Sequence, residues 1–169
     1  MTATRSHDEF TAVFRQEHRE IRDVLLDLID ASRRDDLMEA RRLVARLVML
    51  AGPHFRYEEE CLYPTLVEFF GPDYVENLCV EHDAAIGAAR RLAELVGRQA
   101  ASGADRERTQ SLARGLLPHV SDCGGLSIFV ERLPERDVER ILERRRLARA
   151  QCLDLLRWAD EARVRPSPA

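Results

Sequence analysis

Lysine is absent: all 26 basic residues of this 169-residue chain are arginine. That is read as a bias of the coding sequence rather than a functional signal. Cysteine is sparse, and Cys61, Cys79, Cys123 and Cys152 include no CxxC pair, which argues against a disulfide framework. Three of the four are expected to fill apolar positions. Glycine and proline number only eight and seven, and β-branched runs are scarce, which favours helices over sheets. No window approaches the ~18 apolar residues of a membrane span. Residues 1–10 carry no apolar core of a signal peptide. A cytoplasmic protein without a membrane partner is therefore expected. The net charge of −4 gives no support to a nucleic-acid partner, and Arg144-Arg145-Arg146 reads as a solvated helix face.

What is present is a chain 45% hydrophobic and 33% charged, enough for one domain with a real core. Four amphipathic segments show helical spacing. They run from about Asp8 to Ser32, from about Asp36 to Tyr63 with a break at Gly52-Pro53, from Pro72 to about Ala101, and from about Asp105 to Leu133 with interruptions at Pro118 and Gly124-Gly125. Short connections imply antiparallel neighbours, so the expected fold is an all-α, up-and-down four-helix bundle over residues 1–133. A fifth helix over residues 134–164 is expected to pack on the bundle or to join two copies as a homodimer. Residues 165–169 are expected to fray.

The most informative pattern is an internal duplication. The first and third segments each contain a Glu-His step, Glu17-His18 and Glu81-His82. The second and fourth each contain Pro-His with a possible ligand four residues on: Pro53-His54 with Glu58, and Pro118-His119 with Cys123. His18 and His54 are 36 residues apart, and His82 and His119 are 37. An i, i+4 pair shares a helix face, so His54 and Glu58 can point at one inward spot. Such a buried cluster is costly unless it is paired or bound to metal. Each proline frees the carbonyl four residues back and can re-aim the following imidazole. His7 lies outside the repeat and is expected to be exposed.

The sequence His18 … His54-Phe-Arg-Tyr-Glu58-Glu59-Glu60-Cys-Leu-Tyr-Pro64 … Glu81-His82 … His119 resembles the hemerythrin-like (HHE) cation-binding family over about residues 8–133. The resemblance implies an antiparallel four-helix bundle around two non-haem irons, with His18, His54, His82 and His119 as terminal ligands and Glu58 as a bridging carboxylate. It also implies a small-molecule partner such as O2, peroxide or NO.

The fourth helix departs from that pattern. Where a second bridging glutamate is expected stands Cys123, followed by Gly124 and Gly125. Cys123 could ligate as a thiolate whose pKa the metal lowers. Asp122 could swing in as the carboxylate, or neither binds and a coordination position stays open. A thiolate among imidazoles also suits zinc. The two glycines cost about 1 kcal/mol each relative to alanine and could open room for a small organic substrate, which would make the protein an oxygen-activating enzyme. A third possibility is a metal- or redox-sensing module. Tyr57 and Tyr63 read as core aromatics, and Tyr57 is also placed to hydrogen-bond a bound oxygen species. Glu59 and Glu60 are expected on the solvated side, with a hydrogen bond from one of them to a ligand histidine as the alternative. Glu17 and Glu81, about 100° around the helix from their histidines, are expected to face solvent or a neighbouring helix.

Overall fold

Side-chain spacing on the first segment sets the frame. Phe10, Phe14, His18, Ile21, Leu25 and Leu28 recur at three- and four-residue steps, and all are buried. In a computed structural model, which describes residues 5–165, they form the inner face of helix α1 (Arg5–Arg33). Asp36 caps α2 (Leu37–Tyr57) by accepting from the Glu39 N–H at 3.0 Å. Gly71, at φ 81°, closes α3 (Tyr63–Phe70) and lets the chain turn into α4 (Pro72–Gly97), which starts on proline. A capping box between Ser102 and Asp105 opens α5 (Gly103–Gly124).

Helix α1 packs on α2 and α5, and α4 packs on the same two, which closes a four-membered ring. The fold is the expected all-α bundle, and no strand occurs among the described residues. One apolar cluster, including Phe10, Phe14, Leu62 and Leu66, fills one part of its interior. A second, including Leu25, Leu28, Leu43 and Leu92, fills another.

Two expected helix breaks are corrected. The second segment does not break at Gly52-Pro53; α2 runs through both. Its irregularity comes later, in a π-helical turn at Glu58–Leu62, where the Tyr63 N–H bonds back to the Glu58 carbonyl. That extra residue in the turn lets the consecutive Tyr57, Glu58 and Glu59 all be buried. The fourth segment likewise runs through Pro118 and breaks only at Gly124, before the short α6 (Ser127–Val130).

The C-terminal segment is two helices rather than one. Helix α7 (Glu135–Gln151) ends at Cys152, whose φ of 51° reverses the chain, and α8 (Leu155–Glu161) folds back under an Asp154 cap. Cys152 is exposed, not an apolar filler. Helix α7 lies on α1 and α2, and α8 on α2 and α4. His7 is half-buried, and its Nε2 lies 3.0 Å from the Leu133 carbonyl. Of the tail expected to fray, residues 166–169 lie outside the described part. No helix among the described residues is long and apolar enough to cross a membrane.

Gly52 is where this C-terminal arm seats. A Cβ there would stand 2.6 Å from the Asp154 carbonyl carbon and 2.7 Å from the Leu155 nitrogen. Both are backbone atoms and cannot rotate away. Gly52→Ala is therefore expected to lower stability by about 1–3 kcal/mol, the usual cost of overpacking, read as a fall in chemical-denaturation midpoint. An unchanged midpoint would mean that the arm does not seat there.

Candidate metal centre

Glu58 stands at the middle of the bundle, fully buried. Its Oε1 is 3.3 Å from His54 Nε2 and 4.0 Å from His18 Nε2, and its Oε2 is 3.2 Å from His82 Nε2. His18, His54 and Glu58 each offer a ligand atom within 4.8 Å of the others. Cys123 closes the fourth side, with its thiol donating to Glu58 Oε1 at 3.1 Å. His119 packs edge-on against His82, with ring centroids 5.0 Å apart.

Asp122 is exposed on the outside of α5 and does not join this group. Tyr57 is buried, but on the outer side of the His54 ring, where its hydroxyl donates to Glu17 Oε2 at 2.8 Å. The tyrosine beside the ligand atoms is Tyr63. Its hydroxyl lies 3.0 Å from His82 Nε2 and 3.4 Å from Glu58 Oε2. The π turn brings it there, which no period-3.6 reading of the sequence anticipates.

Each imidazole is oriented from behind. His18 Nδ1 faces the Phe14 carbonyl at 2.8 Å. His54 Nδ1 is 2.9 Å from Glu17, His82 Nδ1 is 2.9 Å from Glu59, and His119 Nδ1 is 2.7 Å from Glu81. With Nδ1–H so engaged, Nε2 is left as the inward lone-pair donor. The Glu-His repeat thus has a structural meaning. In each half, the histidine of the pair points inward while its glutamate holds the histidine of the next helix. Glu17 and Glu59 are therefore buried supports; of the two readings of Glu59, the hydrogen bond to a ligand histidine is found and solvation is corrected. Only Glu81 keeps a half-exposed side chain. Phe55 stacks face to face on His82 at 3.7 Å between centroids, on the side away from solvent.

The protonation of the cluster follows from this packing. Burial opposes ionisation of Glu58, but His54 and His82 outweigh it and hold its carboxyl well below the usual range. Burial likewise opposes charge on His54, yet Glu58 and Glu17 raise it to about 10. His82 is raised by its bonds to Glu58 and Glu59 despite burial. His18 is depressed to about 4 by burial and then by the charge on His54. Burial and His82 lower His119 in the same way. Burial, then Glu58, keeps Cys123 a thiol. A cation entering this cluster competes with protons for the same imidazole nitrogens, most of all at His54 and His82, which their carboxylate partners raise. The donors fit such a cation: neutral imidazoles with one anionic carboxylate, screened from water, form a set that binds transition metals.

Two spaces adjoin the cluster. An apolar cavity of about 30 Å3 is bordered by His18, His54 and His119 together with Leu25, Leu47 and Val120. A wider groove of about 360 Å3 runs between α4 and α5, over Ala84, Ala88 and Gly115, to His119 and Asp122. Gly124, expected to open room for a substrate, faces the His18 ring, and a Cβ there would make an ordinary 3.9 Å contact.

Residues 9–122 match the model of a family described as the hemerythrin HHE cation-binding domain. No curated protein and no solved structure matches the chain.

Proposed function

The chain belongs to the hemerythrin HHE cation-binding family, and from that premise we propose that it is a non-haem di-iron protein that binds or reduces a small oxidant, O2, peroxide or NO. The observation that carries this reading is the buried carboxylate of Glu58, with imidazole Nε2 atoms on both of its oxygens. His18, His54, His82 and His119 would hold the irons, with Glu58 as their shared carboxylate. When bound, the irons supply one-electron chemistry between ferrous and ferric states.

The chain's own residues do the rest. Cys123 takes the place of a second bridging carboxylate and stands against Oε1, as a ligand or as a thiol donor beside one. Asp122 would reach the metals only if the last turn of α5 unwound, so Cys123 is the stronger candidate. Tyr63 has a hydroxyl proton facing the same space, the part first given to Tyr57. The cavity of about 30 Å3 beside His18, His54 and His119 has room for two or three water-sized molecules, by the rule that one needs about 10–15 Å3. That scale suits a small oxidant. The α4–α5 groove is the observation that favours a second reading, in which the same centre oxidises a small organic substrate approaching His119. Zinc at the site would remove both redox readings.

Metal content per chain, measured with an absorption spectrum on protein purified without oxygen and then exposed to air, tests the proposal. About two irons are expected, with near-ultraviolet bands appearing on oxidation, as for histidine–carboxylate iron sites. One zinc, or no metal, would overturn it. Oxygen uptake that depends on an added organic compound would favour the second reading.

A further inference from the structure

Both buried carboxylates that orient site histidines are themselves gripped by arginines from the C-terminal arm. Glu17 accepts from Arg145 Nε at 2.8 Å and Arg149 Nη1 at 3.1 Å, both on Oε1, which leaves Oε2 to His54 and Tyr57. Glu59 is held by a two-pronged fork, Arg163 Nε to Oε2 at 2.9 Å and Nη2 to Oε1 at 2.7 Å, while Oε1 also faces His82 Nδ1. The Arg145 and Arg163 side chains are 16% and 12% exposed, so their pairs are not surface ion pairs of negligible worth, whereas Arg149 is half-exposed and reaches Glu17 from the rim. Arg163 is fixed in turn. Its N–H bonds the Trp158 carbonyl, its guanidinium lies 5.6 Å from the Trp158 ring centroid, and Nη1 reaches Asp83 at 2.5 Å. The run Arg144-Arg145-Arg146, expected to be a solvated face, thus turns Arg145 inward.

All three arginines lie beyond residue 122, where the family match ends. We propose that the C-terminal arm is part of the metal centre: Arg145 and Arg149 through Glu17–His54, and Arg163 through Glu59–His82, are positioning residues that hold one imidazole in each half of the bundle. The proposal rests on the metal-binding reading above.

The physical reason lies in the carboxylates. A buried carboxylate with one imidazole partner can rotate or shift to satisfy its second oxygen, and the ring follows it. A guanidinium fork occupies the remaining lone pairs in one plane and removes that freedom. Glu17 and Glu59 are the cases where this matters, because both are largely shut off from solvent. Glu81, half-exposed behind His119, has no arginine partner among the described residues. The arm therefore acts on one histidine of each half and leaves Glu81, the support of His119, half-exposed.

The test uses Co2+, whose visible bands report coordination without redox chemistry. The full-length metal-free chain is titrated beside three variants: Arg163→Gln, the pair Arg145→Gln with Arg149→Gln, and Arg90→Gln as control. Arg90 ties α4 to α8 through Asp160, but touches no histidine support. The arm variants are expected to bind Co2+ about 10–100-fold more weakly, as for loss of other groups that orient metal ligands, and to show shifted bands at saturation. The control should match the parent. Arm variants that keep the parent's affinity and bands would overturn the proposal, and so would variants that lose only thermal stability while their bands stay put. A parent chain that binds no Co2+ would instead sink the metal-centre reading itself, and this proposal with it. The double variant keeps the test decisive if Arg163→Gln does not fold.

Discussion

Glu58→Ala is expected to abolish metal retention, weakening binding by more than the roughly 100-fold upper range seen when only a supporting residue is lost. Glu58 is the one acidic side chain whose oxygens face both halves of the histidine cluster. The metal-free protein should suffer as well. Against burial, Glu58 acts together with Glu17 to raise His54 and together with Glu59 to raise His82. Because Glu17 and Glu59 remain as partners, the loss should stay below the roughly 3–5 kcal/mol of a buried pair whose second member is left unpaired. Glu58→Gln separates the two effects. It preserves shape and one acceptor, so it should fold better than the alanine variant and still fail to retain metal. Metal analysis of the purified variants decides. A Glu58→Gln chain that carries the parent's metal content would remove Glu58 from the site.

Trp158→Ala is expected to cost about 3–5 kcal/mol, in the range for large buried aromatics. For a chain of this size that corresponds to a fall in Tm of about 6–20 °C. Trp158 is 1% exposed and sits in a cluster with Ala51, Phe55, Ala85, Ile86, Ala89 and Leu155, so it is the plug that fixes α8 to α2 and α4. Its indole Nε1 is buried with no hydrogen-bond partner among the described residues, so the loss is one of packing rather than of a polar bond. The same cluster contains Phe55, which stacks on His82, so the cavity would open one side chain away from the metal centre. Calorimetry or a circular-dichroism melt measures the effect. A Tm within about 2 °C of the parent would mean that α8 contributes little to the fold, since about 1 kcal/mol already moves the Tm by that much.

Much of this was legible before any coordinates. The four bundle helices follow from apolar residues at three- and four-residue steps, because that spacing fixes one buried face whatever the rest of the chain does. The convergence of the imidazoles was legible for the same reason. The two halves repeat in residue type and spacing, and His54 and Glu58 are one helical turn apart. What misled the reading was proline. Pro53 and Pro118 sit inside helices that continue through them, whereas the real departure from α geometry is the π turn at Glu58–Leu62, which has no composition of its own.

The supporting shell was much harder to see. The Glu-His repeat singles out Glu17 but not its burial, and Glu59 carries no mark that separates it from Glu60, which is not buried. Their burial depends on Arg145 and Arg163, 128 and 104 residues further along the chain. Local patterns do not encode such distances. Tyr63 and Tyr57 likewise exchange apparent roles only once the π turn has rotated the second half of the helix.

The sequence by itself therefore determined which atoms could bind a cation and that they lie on facing helices, because helical periodicity is a local property and the duplication imposes symmetry. The tertiary structure alone decided which carboxylates stand behind the imidazoles, that Cys123 rather than Asp122 faces Glu58, and that the C-terminal arm closes over the supports. These are outcomes of packing between segments remote in the chain, where the burial of one side chain is settled by the shape and charge of another.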